Sequence, residues 1–318
     1  MKMTNLITID NPLKKPLPQM KIVDHWLQAD TPQEKVRVSP SQNARPPIDP
    51  DYLILHYTAT DTAADAINWF MNTQSNPDRI AAHIVLDYDG TITQLIPFNC
   101  RANHAGYSIW DGASEFNYHS IGIEIVNPGY VEKMDDGSYR RAKGKVNGKM
   151  VYKTYPASSA SSIVAAQHKH RFWNAKDNQH WFVFPPAQLE ALYTLSKTLI
   201  DKYQLITALG HDDIAAGRKP DPGPAFPWDT FRTRLNGTAS PIGKVFVTNQ
   251  HGVNFRSSHS TTSTVIKTLS QGYEVGLIET NGQWSKVYLV QKQTEVVDNG
   301  RSVKVVGWIH SSLLTPKA

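Results

Sequence analysis

Residues 51–58 read DYLILHYT, a short apolar run that ends in polar side chains, and residues 61–74 read DTAADAINWFMNTQ. The first run predicts a buried strand. The second predicts a helix with Asp61 or Thr62 at its N-cap and with one apolar face. The apolar face consists of Ala63, Ile67, Phe70 and Met71.

Strand signals continue after this pair. AAHIVLDY (81–88) and TITQLIP (91–97) flank Asp89-Gly90 and predict a strand, a tight turn and a strand. SIGIEIVN (120–127) alternates three isoleucines with Gly122, Glu124 and Val126, which is the period of a strand with one polar-capable face.

Helical patterns occupy the later part of the same region. ASSASSIVAAQHKHRFW (157–173) predicts one helix, PPAQLEALYTLSKTLIDKYQ (185–204) a second with Pro186 near N1, and FPWDTFRTRL (226–235) a short third. Interleaved strands and helices predict an α/β or α+β domain covered by helices.

Composition limits the class of protein. A length of 318 residues suggests about two domains, and 40% hydrophobic with 19% charged residues is ordinary for a globular chain. The net charge of +5 is compatible with an anionic polymer as partner, but no RRM, zinc-finger or helix-turn-helix pattern points to nucleic acid. The single cysteine, Cys100, excludes an internal disulfide and a thiolate cluster.

The chain divides into four parts by texture. We predict an irregular N-terminal extension over 1–48, the α/β domain over 49–236 and a linker over 237–244. Short β runs at close spacing over 245–318 predict a small all-β barrel. Within the first domain, residues 133–153 carry seven Lys or Arg against two Asp and predict a basic hairpin, which could line a groove or be simply solvated.

Targeting signals are missing from the sequence as it stands. The N-terminus lacks the uninterrupted apolar region of a secretory signal, because Asp10 and Pro12 cut it short. No run approaches the roughly 20 apolar residues of a membrane span. We therefore expect a soluble chain made in the cytoplasm.

Residues 210–228, GHDDIAAGRKPDPGPAFPW, form a segment with three glycines and four prolines. The segment holds three side chains that could bind a metal or act in catalysis, His211, Lys219 and Asp221. Such a segment forms neither a regular helix nor a central strand. Its His211 and Asp221, with His56 from the first strand, would suit zinc, which accepts two imidazoles and a carboxylate. Spacing alone leaves open the alternative that each is an ordinary core or surface residue, since the chain has twelve histidines.

Five segments together resemble one known family, the zinc-dependent N-acetylmuramoyl-L-alanine amidases of type 2, which share their fold with peptidoglycan recognition proteins and T7-like lysozymes. The segments, in the family's order, are LILHYTAT (53–60), AAHIVLDYDGTITQLIP (81–97), RANHAG (101–106), HSIGIEIVN (119–127) and GHDDIAAGRKPDPGPAFPW (210–228). The resemblance implies a mixed β-sheet flanked by helices, with one zinc ion in a cleft over the sheet.

The resemblance also implies roles for particular residues. His56, His211 and Asp221 fall at the positions of the zinc ligands, with Asp where many recognition proteins and T7-like lysozymes have Cys. Glu124 falls at the catalytic carboxylate, and Lys219 at a lysine that faces the scissile carbonyl. Without the resemblance, Glu124 could equally be a strand carboxylate in a salt bridge and Lys219 a solvated loop residue.

Several other histidines are less well defined. His104 resembles a family position near the substrate, although a structural role is an alternative. His83 is expected in the core or behind the ligands. His168, His170 and His180 are expected at the surface.

The C-terminal part resembles a bacterial SH3 module. The matching features are Val253-Asn254-Phe255-Arg256-Ser257, Gly272, Trp284 and Gly307-Trp308. The segment 290–306 is longer than usual. Such modules commonly bind the cell wall, where a tethered second contact raises the effective concentration at the polymer.

The resulting hypothesis is a hydrolase in which a zinc-activated water cleaves the amide between N-acetylmuramic acid and L-alanine in peptidoglycan or muropeptides. A non-catalytic peptidoglycan-binding protein on the same scaffold is the alternative, and a glycan-cleaving lysozyme is a weaker rival because it needs two facing carboxylates. Action on the wall, in the periplasm or outside the cell, would fit an endolysin or an antibacterial effector, whereas a recycling enzyme would act on fragments in the cytoplasm. Oligomeric state stays open.

Overall fold

The computed structural model describes residues 20–29, 35–111, 113–169, 179–236, 245–290, 295–298 and 301–317. The predicted linker over 237–244, and His170, lie outside these ranges.

The first half of the chain supplies most of a central sheet. Its elements are β1 (Lys21–Val23), β2 (Trp26–Gln28), β3 (Val36–Val38), β4 (Tyr52–Tyr57), α1 (Ala63–Met71), β5 (Ile84–Leu86), β6 (Ile92–Gln94), β7 (Ile109–Trp110), β8 (Ala113–Ser114) and β9 (Ser120–Ile125). The predicted strand, helix and strand–turn–strand signals are confirmed, and Thr62 rather than Asp61 caps α1, accepting a hydrogen bond from the Asp65 amide.

The rest of the first domain adds a second sheet and three helices. The elements are β10 (Tyr130–Lys133), β11 (Tyr139–Val146), β12 (Lys149–Tyr155), β13 (Ile163–Ala165), β14 (His180–Phe182), α2 (Pro186–Tyr203), β15 (Thr207–Gly210), α3 (His211–Ile214) and α4 (Trp228–Asn236). The basic hairpin is confirmed as β11 and β12, joined at Asn147-Gly148. The helix predicted over 157–173 is wrong over its described part, 157–169: Ala157–Ser162 is a 3-10 turn that leads into β13, which pairs with β14.

The central sheet is mixed, in the order β15-β4-β9-β5-β6-β3. β15, β4, β9 and β5 run parallel, whereas β6 is antiparallel to β5. The isoleucines of β9 pack with β4, α2 and α4 in one core cluster. The alternation of β4 and β9 leaves His56 and Glu124 on the opposite face, where they are cross-strand partners.

The expectation of an irregular extension over 1–48 is wrong for part of its length. β1 pairs with β2, Leu27 is buried in the main core, and β3 joins the central sheet beside β6. A short Val-Arg-Val strand carries too little periodicity to be recognised, because its order comes from pairing with a distant strand.

The C-terminal part is all-β, as predicted. Its strands are β16 (Val245–Thr248), β17 (Val253–Arg256), β18 (Val265–Leu269), β19 (Glu274–Asn281), β20 (Trp284–Leu289), β21 (Glu295–Asp298), β22 (Arg301–Lys304), β23 (Val306–His310) and β24 (Leu314–Pro316). Seven of them form one antiparallel sheet in the order β18-β17-β23-β20-β19-β16-β24 around a core of its own. A second hydrophobic cluster joins this region to the first domain, with Trp110 and Tyr288 in edge-to-face contact.

Candidate metal centre and cleft

Three elements bring the predicted ligands together at the carboxyl ends of the parallel strands. His56 lies near the end of β4, and β15 runs beside β4 with Gly210 opposite Leu55, so that His211 follows directly at the same edge. Gly210 is required here, because a Cβ would overlap Asp212 Oδ1 and lie 2.8 Å from Pro222 Cδ. The segment 210–228, which we call the Gly/Pro segment, then folds back on itself. The Asp212 amide donates to the Asp221 carbonyl over 2.8 Å.

The three side chains form a compact, buried set of donor atoms. His56 Nδ1, His211 Nδ1 and Asp221 Oδ2 are each 2.9 Å from the other two. Their relative exposures are 1%, 2% and 6%. His56, His211 and Asp221 could therefore hold one metal ion, as two imidazoles and a carboxylate suit such a role.

Burial sets the charge state of this group. It lowers the pKa of His56 to about 4, helped by the neighbouring His211 and opposed by Asp221. Burial would raise the pKa of Asp221, but His211 and His56 hold it well below its ordinary value. The carboxylate is thus ionised beside a neutral His56, and both states suit metal binding.

The outer ring nitrogens of the two histidines have partners of their own. His211 Nε2 lies 2.9 Å from the Ala105 carbonyl, which can only accept, so this nitrogen carries the proton and Nδ1 is left for a metal. His56 Nε2 lies 2.9 Å from Nδ1 of His104.

Glu124 lies beside His56 on the neighbouring strand and is 9% exposed. Its Oε2 has no hydrogen-bond partner among the residues that the structure describes. Burial, with the charge of Asp221, raises the pKa of Glu124 well above its ordinary value, against the opposing charge of Lys219. The salt-bridge alternative for this carboxylate finds no partner in the described part of the chain.

Lys219 and His104 line a cleft of about 560 Å³ that reaches His211. Lys219 is near enough to Glu124 and His56 for its charge to act on both. Arg218, which the sequence did not suggest, also lines the cleft and donates to the Ala105 and Tyr107 carbonyls over 2.7 and 2.6 Å.

His168 was predicted at the surface, and that prediction is wrong. Its side chain is buried behind the Gly/Pro segment, with Nε2 3.0 Å from the Pro220 carbonyl. Lys169 beside it contacts Asp212 and Asp213 at 2.9 and 2.6 Å. The only signal in the sequence was Asp212-Asp213 next to His211, since two adjacent acidic residues, if buried, need cationic partners such as His168 and Lys169. His83 is buried as expected, bonded to the Cys100 carbonyl and the Gly122 amide.

The base of the basic hairpin lines a separate pocket of about 380 Å³, with Tyr57 from the end of β4 on its other side. Arg140 and Arg141 lie in this pocket with partners in Glu132 and Asp61. The outer half of the hairpin is exposed. The solvated alternative holds for this outer half, and a role of the base in lining a substrate groove stays a prediction.

The family model for N-acetylmuramoyl-L-alanine amidase matches residues 44–224, more than half of the chain, and a bacterial SH3 domain model matches 251–315. The chain belongs to the N-acetylmuramoyl-L-alanine amidase family. It is 30% identical over 181 residues to N-acetylmuramoyl-L-alanine amidase AmiD of Escherichia coli K12, covering 55% of this chain and 50% of that protein. It is 29% identical over 160 residues to the 1,6-anhydro-N-acetylmuramyl-L-alanine amidase AmpD of the same strain, covering 50% and 60%.

The matched region therefore spans half to three fifths of these relatives. A solved complex of Escherichia coli AmiD with the substrate anhydro-N-acetylmuramic acid-L-Ala-D-gamma-Glu-L-Lys is 27% identical, with a TM-score of 0.41 over 64% of this chain and 63% of that one. Among the described residues, no helix has the length and apolar character needed to cross a membrane.

Proposed function

We propose that this chain is a zinc-dependent N-acetylmuramoyl-L-alanine amidase, which hydrolyses the amide between N-acetylmuramic acid and L-alanine of the peptidoglycan stem peptide. The observation that carries the proposal is the buried His56–His211–Asp221 group, with Glu124 on the strand beside His56 and its Oε2 without a partner among the described residues. Family membership and the names of the amidases AmiD and AmpD support the same reaction.

The donor set fits zinc by its chemistry. His56, His211 and Asp221 would hold the ion, with Nδ1 of each imidazole and Oδ2 of the carboxylate facing one point. When bound, zinc supplies Lewis-acid polarisation of the substrate carbonyl and lowers the pKa of water.

Glu124 would move the proton. Its raised pKa brings the carboxylate nearer to the basicity that a general base needs at neutral pH. Oε2 accepts a proton from the water that attacks the carbonyl carbon, and the same carboxyl returns it to the nitrogen as the C–N bond breaks. The products are the lactyl carboxylate of the muramic acid and the free amine of L-alanine.

Lys219 would stabilise the negative charge that develops on the carbonyl oxygen. A positive charge fixed in place before the reaction needs no reorganisation in the transition state. The backbone amide of Lys219 donates to the Ala215 carbonyl over 3.0 Å, which helps to fix the segment that carries it.

We further infer that the main substrate is polymeric wall, in the periplasm or outside a cell, rather than soluble muropeptides. The bacterial SH3 domain over 251–315 would give a second contact to a polymer, and a small fragment would gain little from such a contact.

The test is digestion of purified sacculi and of a soluble muropeptide, with products identified by mass spectrometry. We expect new L-alanine amines without new reducing ends, faster on sacculi, and a loss of at least about 10²-fold in Glu124→Gln. Glu190→Gln, at an exposed glutamate on α2, is the matched control and should keep full activity. Release that survives both chelation and Glu124→Gln would overturn the mechanism. New reducing ends would indicate a glycosidase. The absence of both new L-alanine amines and new reducing ends would indicate a binding protein.

A further inference from the structure

We propose that His104 is a positioning residue for the candidate metal ligand His56. It would act through the Nε2 atom of His56, since Nδ1 is the His56 nitrogen that faces His211 and Asp221. This inference rests on the proposed function only in so far as a metal binds to His56. Nδ1 of His104 lies 2.9 Å from His56 Nε2, and the two rings meet edge to face with centroids 5.1 Å apart.

The direction of that hydrogen bond follows from Ser120. The Ser120 hydroxyl donates its only hydrogen to the Phe116 carbonyl over 2.5 Å. It therefore meets His104 Nε2, 3.3 Å away, as an acceptor, and the Ser120 carbonyl at 3.5 Å can only accept as well. His104 Nε2 must carry the proton.

A neutral imidazole with its proton on Nε2 has a lone pair on Nδ1. His104 Nδ1 thus accepts, and His56 Nε2 donates to it. The proton of His56 is thereby held on Nε2, and His56 Nδ1, which faces His211 and Asp221, keeps the lone pair that a metal needs. A chain of hydrogen bonds from Phe116 through Ser120 and His104 fixes the tautomer of His56.

The surroundings hold the His104 ring in this position. Asn117 Oδ1 accepts from the backbone amides of His104 and Ala105 over 2.9 and 2.8 Å. The ring lies against Gly122, where a Cβ would be 2.5 Å from His104 Cγ. Because no larger side chain fits at position 122, the glycine of β9 makes the room that the ring occupies.

This assignment predicts different results for two substitutions at one position. His104→Asn places Oδ1 where the acceptor nitrogen was, whereas His104→Leu fills similar space without an acceptor. We expect zinc dissociation constants, measured by competition with a chromophoric chelator, to rise 10–100-fold in His104→Leu and less than about threefold in His104→Asn. Cobalt(II) titrations should give the wild-type visible spectrum with His104→Asn and an altered one with His104→Leu.

His83→Asn is the matched control. His83 is also buried and in ring contact with His104, but it forms no hydrogen bond to any of the three candidate metal ligands. Its zinc affinity should stay within threefold of wild type. If His104→Leu fails to fold, His104→Met supplies a second side chain without a strong acceptor.

Equal zinc affinity in wild type and the acceptor-free variant, or equal losses in the Asn and Leu variants, would overturn the inference. The measurement needs no substrate, so it separates the two proposals. A wild-type chain that binds zinc but releases no L-alanine amine contradicts only the proposed function, whereas one that binds no zinc contradicts both.

Discussion

At the scale of single residues, the burial of His83 makes the free energy of unfolding depend on pH in the acid range. Burial lowers the pKa of His83 to about 4, against a value of about 6.5 in an unfolded chain. The unfolded chain therefore takes up this proton first as the pH falls. His83 contributes stability that is present above about pH 6.5 and is lost as the pH falls toward 4.

His83→Asn tests this sign with both proteins stripped of metal. Asn Oδ1 can still accept from the Gly122 amide, but the bond from Nε2 to the Cys100 carbonyl is lost, so at pH 7.5 the variant should be less stable by about 1 kcal/mol. At pH 5 wild type should have lost on the order of 2 kcal/mol more than the variant, which reverses the order. Urea unfolding at both pH values measures the two free energies of unfolding. The same difference between wild type and variant at pH 7.5 and pH 5 would contradict a buried, neutral His83.

At the scale of elements, the segment after β13 supports the Gly/Pro segment through Lys169. Its Nζ lies between two buried carboxylates, Asp212 and Asp213. Lys169→Met should destabilise the protein by about 3 kcal/mol, since removal of the cation leaves buried negative charge uncompensated. Adding Asp212→Asn to this variant should recover part of the loss.

The control for Lys169 is a pair of the same kind on the surface of α2. Lys197 and Asp201 are one helical turn apart and about one third exposed. Lys197→Met should change the free energy of unfolding by less than about 0.5 kcal/mol in the same denaturation experiment. Similar losses in both variants would show that the buried pair contributes no more than a solvated one.

The limits of sequence-based prediction also lie at this scale. Strands and helices with strong periodicity, such as β9 and α2, were predictable from the sequence, and the family resemblance predicted one site for His56, Glu124 and Asp221. β3 and β13 were not, because each is three residues long and is ordered by a distant partner. The same limit applies to His168 and Lys169, whose contacts are made with a segment more than 40 positions away.

At the scale of the whole molecule, the C-terminal domain packs against the amidase domain. One buried cluster joins the two, and Lys286 forms an ion pair with Asp111 beside it. The residues of this cluster are Ile54, Ala105, Trp110, Phe116, Leu209, Ile214 and Ala215 from the first domain and Val245, Ile278, Tyr288 and Val290 from the second. Ile54 and His56 share a face of β4, so this packing extends to the face that carries the candidate metal ligand His56.

Cooperative unfolding is the consequence that can be measured. The 318-residue chain should unfold in a single calorimetric transition, because neither domain keeps its apolar surface covered alone. Ile278→Asp places a charge in the shared cluster, and should lower the melting temperature by roughly 10 °C and separate two transitions. Val265→Asp, at an exposed valine on β18 of the same domain, should leave one transition near the wild-type temperature. Two transitions in wild type, or equal effects of the two aspartates, would mean that the two domains unfold independently of each other.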